Sequence, residues 1–321
     1  PATMSSPPSS VLSPRPASVA GAIDSTPLVE LPRFSSGAAR IFAKLEWFNP
    51  GGSVKDRVAA AMLEDAETRG RISPGGTIVE PTSGNTGVAF AMLAAIRGYR
   101  CVIVMPEGAG HVKARLMEAF GAEVVRTPAE DLMSGAIQRA RDIVAQTPGS
   151  WLPNQFANPI NPGTHYQTTG PEIWQGLGGR IDAWVTGVGT TGTFTGVARY
   201  LAERNPRVLK VAVEPQGSIL GGGPRGKHAV EGVGLSFYPE ILDRSLIDEV
   251  VTVDDATAFE ACRRLAREEG LLAGGSSGLS AAGALRIAER LGPGKVVVTL
   301  FPDAAERYPD QGIFGQSPSD G

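Results

Sequence analysis

The chain has 321 residues, of which 42% are hydrophobic and 20% charged, and a formal net charge of -3. That length exceeds what one hydrophobic core usually organises, so two domains are expected, and the near-neutral balance gives no basic footprint for nucleic acid. A small-molecule partner is the expectation.

The two cysteines, Cys101 and Cys262, have no paired spacing for a metal or a disulfide. No run approaches the roughly 18 to 20 apolar residues of a membrane span, and the N-terminus lacks the basic-then-apolar order of a signal peptide. A reducing, cytoplasmic setting is expected. Residues 1–18, rich in Pro, Ser and Ala, read as a flexible tail that buries too little apolar surface to offset ordering entropy.

Thr26-Pro27-Leu28-Val29 opens the folded part, and residues 40–47 alternate as a strand. That strand runs into Asn49-Pro50-Gly51-Gly52-Ser53-Val54-Lys55-Asp56-Arg57 and a helix over 54–69. Ser53 is placed to cap this helix, with Lys55 in its first turn. A protonated lysine is disfavoured at a positive helix end, and burial lowers its pKa further, so the stretch points to a neutral, nucleophilic amine. A surface lysine after a turn is the plainer alternative.

A strand over 77–80 leads into Pro81-Thr82-Ser83-Gly84-Asn85-Thr86-Gly87 and an apolar helix to about residue 98. The hydroxyls, amide and backbone N–H groups of this junction suit a carboxylate or phenolate oxygen, although a plain capped loop would look similar. Strands over 101–105 and 123–126 alternate with helices over 110–120 and 129–145. Such alternation means a parallel sheet with its site at the carboxyl ends of the strands. Residues 151–155 read as the start of a second series, which places a domain boundary near residue 150. Of the amides that follow, Gln155 is read as a substrate contact and residues 158–163 as a turn.

The third junction, a strand over 183–187 followed by Val188-Gly189-Thr190-Thr191-Gly192-Thr193, forms a phosphate cup of glycine N–H groups and threonine hydroxyls at a helix start. It lacks the Gly-Lys-Ser/Thr ending of a nucleotide triphosphate loop. Gly187, Gly189 and Gly192 also fit G-x-G-x-x-G, with Glu214 where a dinucleotide fold keeps its ribose acid, so NAD stays open on this segment. Ser276 in Gly274-Gly275-Ser276-Ser277-Gly278 could face a ring nitrogen, and Asp303, after a closing strand over 295–301, lies near a cofactor edge; a helix cap and a loop residue are the alternatives.

Together the stretches 49–57, 81–87, 189–193 and 274–278 resemble, in order and spacing from Thr26 to Tyr308, the cysteine synthase and cystathionine β-synthase family of fold-type II pyridoxal-phosphate enzymes. The resemblance implies an α/β fold with two open, twisted, mostly parallel sheets flanked by helices, of tryptophan synthase β-like architecture. The site lies between a smaller mobile domain, 41–150, and a larger cofactor-anchoring domain, 19–40 plus 151–321. It makes Lys55 the Schiff-base lysine and assigns Asn85, Gly189, Thr190, Thr191, Gly192, Thr193, Ser276 and Asp303 to pyridoxal 5'-phosphate. Thr82, Ser83, Gly84, Asn85, Thr86 and Gln155 receive the substrate carboxylate, and no metal is implied. The implied reaction is β-replacement on O-acetyl- or O-phosphoserine through an aminoacrylate, giving L-cysteine from sulfide, in a homodimer.

Cystathionine β-synthesis, another β-substituted alanine, an ammonia-lyase and a catalytically dead binding protein are the alternatives, with NAD binding the most remote. Two departures bear on the acceptor and donor. Gly108-Ala109-Gly110-His111 replaces the usual Met-Ser or Thr-Ser pair and is expected to admit a bulkier acceptor, while Arg225, Lys227 and His228 are candidates for the phosphate of O-phosphoserine, against solvated loop charge. Asp24-Ser25 also replaces Gly-Asn, and Ala304-Ala305 replaces Ser-Gly.

Overall fold

The computed structural model describes residues 18–315, so the tail expected over 1–18 lies outside the described residues except for Ser18. Among the described residues ten strands form two sheets. The larger contains β1 (Leu28–Glu30), β2 (Arg40–Leu45), β7 (Ala183–Gly187), β8 (Leu209–Pro215), β9 (Glu249–Val253) and β10 (Val296–Phe301), in the order β1-β2-β10-β7-β8-β9. The smaller contains β3 (Thr77–Pro81), β4 (Arg100–Pro106), β5 (Glu123–Thr127) and β6 (Ser150–Trp151), in the order β5-β4-β3-β6. Among these described strands only β1 runs antiparallel to its neighbour.

The period of two along a strand sends alternate side chains to opposite faces. In the larger sheet Val211 and Val213 pack with Leu265 of α8 (Asp255–Glu269) and Leu279 of α9 (Gly275–Leu291). On the other face Trp184, Ala212 and Val298 meet Ile173 of α6 (Thr169–Gly176) and Phe194 of α7 (Gly192–Arg204). Because both faces are covered, these strands read as continuous apolar runs. The smaller sheet is covered by α1 (Lys55–Thr68) and α2 (Asn85–Arg97) on one side and by α4 (Leu132–Gln146) on the other. Two further helices, α3 (His111–Ala119) and α5 (Ile160–Gln167), follow β4 and β6.

Two boundaries expected from the sequence are corrected. The strand after residue 40 belongs to the larger sheet, where Phe42 pairs with Val298, so the smaller unit starts after β2 and not at 41. Its alternating pattern is satisfied equally by either sheet, and only the pairing decides. At the other end, Trp151 pairs with Ile78, so β6 closes the smaller sheet and starts no second series; residues 152–155 leave it as loop. Among the described residues no helix is long and apolar enough to cross a membrane. Cys101 and Cys262 are buried, unpaired thiols, each pushed up to about 12 by burial.

Candidate active site

Lys55 is seated where the chain leaves β2 and crosses to the smaller sheet. The turn before it is fixed by Asn49, whose Nδ2 donates to the Glu46 and Ser53 carbonyls at 2.9 and 3.2 Å. The Val54 N–H donates to the Pro302 carbonyl at 2.9 Å, which ties the start of α1 to the end of β10. Ser53 Oγ accepts from the Lys55 N–H at 3.2 Å, so it caps one orphan donor as expected, although Val54 occupies the cap position. The Lys55 ammonium is disfavoured chiefly by burial, which outweighs the field of nearby Asp303 and lowers its pKa. The result is an amine that loses its proton readily on the floor of a cavity of about 580 Å³.

The 82–86 loop forms one wall. Thr82 is held by the Val104 carbonyl through its N–H at 2.9 Å, and its hydroxyl accepts from the Gly84 N–H at 3.1 Å. Asn85 and Thr86 then open α2, where N–H groups without helical partners and the positive helix end favour an anion. The Thr86 hydroxyl donates to Gln155 Oε1 at 2.8 Å, which joins this loop to the segment leaving β6. All five loop residues and Gln155 line the cavity.

The cup lies at the end of β7. Gly189, Thr190, Thr191 and Thr193 line the cavity, with Gly192 starting α7 behind them. Thr191 sits at φ 72, and its buried hydroxyl has no hydrogen-bond partner. An orphaned buried donor is costly, and a bound anion would satisfy it. A Cβ on Gly189 would stand 2.3 Å from the Gly232 carbonyl oxygen, and one on Gly192 would stand 1.9 Å from Asn161 Oδ1. The glycines are therefore required for the cradle to close.

Ser276, in the first turn of α9, lines the cavity and is 4% exposed. Glu231 is the only acidic residue among those lining the cavity, and it pairs with Lys113, so Ser276 presents a neutral hydroxyl with no competing carboxylate. Asp303 stands one layer back. It is fully buried, accepts from Asn85 Nδ2 at 2.6 Å and from the Tyr308 hydroxyl, and is kept off the cavity wall by Pro302 and Tyr308. From the cavity it is reached through Asn85. Arg307 Nη1 donates to the Asn85 Oδ1 at 3.0 Å, so the amide is fixed from both ends while its second N–H remains for the cavity.

Other expectations resolve in the same way. Glu214 does not face the cup: its carboxylate accepts the Leu220 and Gly221 N–H groups, each at 2.9 Å, and so shapes the turn after β8. Arg225, Lys227 and His228 do not line the cavity. Gly108, Ala109 and Gly110 line the cavity, and Gly110, at φ 59, lies against the 82–86 loop, where a Cβ would meet the Ser83 carbonyl oxygen at 2.5 Å. Met133, Ile137, Phe156 and Phe237 add an apolar wall to the same cavity, the last two in edge contact with centroids 5.3 Å apart.

Residues 158–163 are more than a turn. Asn158 does hold the loop, donating to the Pro153 carbonyl, but buried Asn161 donates from Nδ2 to the Gln155 carbonyl at 2.9 Å and to Thr190 Oγ1 at 3.2 Å. With its lone pair so engaged, the Thr190 hydroxyl has its proton free for an anion. His165 ties down Thr193: its ring spans Thr169 Oγ1 at 2.9 Å and Thr193 Oγ1 at 3.1 Å, and burial, with the charges of Arg57 and Lys55, keeps it neutral. No motif marks either residue, and only their fixed distance before the cup could have raised them.

Comparison with known proteins agrees with this geometry. Residues 19–303 match the family described as pyridoxal-phosphate dependent enzyme. The chain is 47% identical to a cysteine synthase of Staphylococcus aureus over 289 residues, covering 89% of this chain and 93% of the relative. It is 43% identical to an O-acetylserine dependent cystathionine beta-synthase of Bacillus subtilis over 294 residues, covering 91% and 95%. The crystal structure of an O-ureido-L-serine synthase superposes with a TM-score of 0.91 at 43% identity, covering 94% of this chain and 96% of that one.

Proposed function

Because this chain belongs to the family of pyridoxal-phosphate dependent enzymes, we propose that it replaces the β-substituent of an O-activated L-serine by a nucleophile, with sulfide giving L-cysteine. The observation that carries this reading is Lys55, half-buried and with its ammonium disfavoured, on the floor of a cavity where the N-termini of α1, α2, α7 and α9 converge. The residues present fit the cofactor: Thr191 offers an orphaned buried hydroxyl, and a side chain at Gly189 or Gly192 would fill the cradle.

Lys55 would hold the cofactor covalently, Asn85 its ring oxygen, Gly189, Thr190, Thr191, Gly192 and Thr193 its phosphate, and Ser276 its ring nitrogen. Pyridoxal phosphate, when bound, supplies an electron sink for charge that develops at the substrate Cα. Thr82, Ser83, Gly84, Asn85, Thr86 and Gln155 orient the substrate by its carboxylate. Lys55, with its proton affinity lowered by burial, takes the Cα proton and returns one at the end of the cycle. The neutral Ser276 hydroxyl leaves the ring nitrogen less charged than a carboxylate would, which favours loss of the β-substituent over amino transfer. Closure of the smaller-sheet unit over the cavity would exclude water that otherwise diverts the reaction to an ammonia-lyase outcome.

A second reading concerns the acceptor. The apolar wall of Met133, Ile137, Phe156 and Phe237 favours a nucleophile larger than sulfide, as in a cystathionine β-synthase or a synthase of another β-substituted alanine. We read the assembly as a homodimer on the ground that two-fold dimers are the commonest oligomers, and the compartment as cytoplasmic from the unpaired cysteines.

The test is direct. Protein loaded with pyridoxal phosphate and reduced with borohydride should carry the label on the peptide containing Lys55. The loaded protein should form cysteine from O-acetylserine and sulfide, and the rates with O-phosphoserine and with homocysteine then fix donor and acceptor. Label on another lysine, or none, would refute the assignment.

A further inference from the structure

We propose that Arg307 is a positioning residue for the cofactor: it fixes which end of the Asn85 amide faces the cavity, and so presents an N–H, not the carbonyl oxygen, to the ring oxygen of pyridoxal phosphate. The inference rests on the reading of Asn85 as the donor to that oxygen. Arg307 follows β10, at the end of a short 3-10 turn, and reaches back to two other elements. Its Nη2 donates to the Gly51 carbonyl, in the turn that carries Lys55, and its Nη1 donates to Asn85 Oδ1 at 3.0 Å. The guanidinium lies so close to that turn that a Cβ on Gly52, itself at φ 77, would stand 2.3 Å from Nη2. Asp56 holds the turn from within α1, accepting the Gly51 N–H at 2.5 Å. Gly51 and Gly52 thus form a fixed slot for Arg307, and the slot aims its other nitrogen at Asn85.

An amide bonded at both ends can turn over only if both partners tolerate the exchange. Asp303 accepts from Asn85 Nδ2 at 2.6 Å, yet a carboxyl group can also donate once it is protonated, and full burial favours the protonated form. A guanidinium has N–H groups and no acceptor, so the end of the amide that meets Arg307 must be its oxygen. Nδ2 then has one N–H on Asp303 and a second for the cavity that Asn85 lines. The charge of Arg307 acts in the same direction, because a hydrogen bond accepted by Oδ1 from a cation makes the N–H groups of that amide stronger donors. An amide turned over would set its oxygen against the ring oxygen and favour the form in which that oxygen keeps a proton.

Anchoring of the segment after β10 does not account for these contacts. That segment is tied down by other bonds, from the Ala305 N–H to the Leu272 carbonyl at 3.0 Å and from Ser277 Oγ to the Asp303 carbonyl at 3.1 Å. Arg307 instead directs both terminal nitrogens toward the cavity side, to the turn before Lys55 and to the first residue of α2.

The experiment uses the holoenzyme, with absorbance reporting the form of the bound cofactor: the visible band belongs to the ionised ring oxygen and the near-ultraviolet band to the protonated one. Arg307→Met is expected to raise the ratio of near-ultraviolet to visible absorbance about tenfold, the effect of one charge-assisted hydrogen bond. Arg307→Lys, which keeps a cation with no acceptor, is expected to bring the ratio back to within about threefold of the parent. In an Asn85→Ala background Arg307→Met should shift the ratio no further, since the group it positions is gone. Should the methionine variant fold poorly, Arg307→Leu takes its place with the same expectation. A role confined to folding would lower the urea midpoint and leave the ratio alone. That outcome would overturn the proposal, as would an equal shift with and without Asn85. If Asn85→Ala shifts the ratio and Arg307→Met does not, the positioning role alone fails. If Asn85→Ala leaves the ratio unchanged, the ring-oxygen reading of Asn85 fails with it, and a parent without a visible band would remove the cofactor reading itself.

Discussion

Lys113 and Glu231 meet across the mouth of the cavity, Nζ to Oε2, at 2.6 Å. Lys113 is carried by α3 and is 2% exposed, with its ammonium 4.0 Å from the centre of the Tyr308 ring. Glu231 belongs to the segment between β8 and β9, and its side chain is 49% exposed. The pair thus ties the smaller-sheet unit to the larger where substrate must enter. With one partner half in water it contributes about 0.2 to 1 kcal/mol, weak enough to open and reform.

Glu231→Gln is therefore expected to cost less than about 1 kcal/mol of global stability while speeding amide hydrogen exchange over residues 108–119. Urea denaturation and exchange by mass spectrometry measure the two quantities on one sample. Unchanged exchange over 108–119 would show that the ion pair is not what holds α3 down.

The hydrogen bonds of Asn161 to the Gln155 carbonyl and to Thr190 Oγ1 join the carboxylate wall to the phosphate cup. Asn161→Ala frees the Thr190 hydroxyl to turn away from an anion, and a loss of about tenfold in affinity for pyridoxal phosphate is expected, about 1.4 kcal/mol. Gly192→Ala should be worse, because the new Cβ would lie 1.9 Å from Asn161 Oδ1. Combining the two removes the collision, so the double variant should bind the cofactor better than Gly192→Ala alone. Titration of the apo-protein with the cofactor, followed by absorbance, distinguishes the three.

Arg57 is buried in a network with Glu46 and Glu172, at 2.6 and 2.7 Å, and with Asp24 at 2.6 Å. Burial opposes ionisation of Glu172, yet Arg57 and Lys44 outweigh it and hold that carboxyl at about 2. Arg57→Met strands Glu46, which is fully buried, without its counter-ion. A destabilisation of roughly 3 to 5 kcal/mol is expected in chemical denaturation. A cost under 1 kcal/mol would mean that the Glu46 site does not depend on its counter-ion.

Much of this site was legible in the sequence because its parts are backbone-driven. A glycine-rich turn before a helix declares an anion cradle, which is why Lys55, the 82–86 loop and the cup at residues 189–193 all fall on one cavity. What escaped are side chains that act through others. Asn161 looks like a turn residue beside Asn158, since a buried amide and a turn amide have the same letter. The hold of Asp303 on Asn85 is another such contact that no motif declares. The sheet membership of β2 was likewise hidden, because alternation states that a strand has a buried face but not which sheet supplies it.

The buried carboxyl groups set the pH dependence of stability. Burial raises Glu80 to about 8 and Asp56 to about 7, the latter against the Gly51 N–H and the charge of Arg307. In the unfolded chain both ionise near their ordinary values, so between roughly pH 4.5 and 8 the folded state binds more protons than the unfolded one. Stability contributed by these groups is present below that window and falls as pH rises through it, by about 1.4 kcal/mol for each pH unit by which a group is displaced. His165 works on the acid side: held neutral by burial, it costs stability as pH falls below about 6.5, where the unfolded imidazole charges. Lys55, lowered by burial, opposes the carboxyl groups by favouring the folded state as pH rises toward the ordinary lysine range. Urea midpoints from pH 6.5 to 9 should therefore fall less steeply in Glu80→Gln and in Asp56→Asn than in the parent, and more steeply in Lys55→Met. Parallel curves for the parent and both carboxyl variants would mean that these groups ionise in the folded state as they do in water.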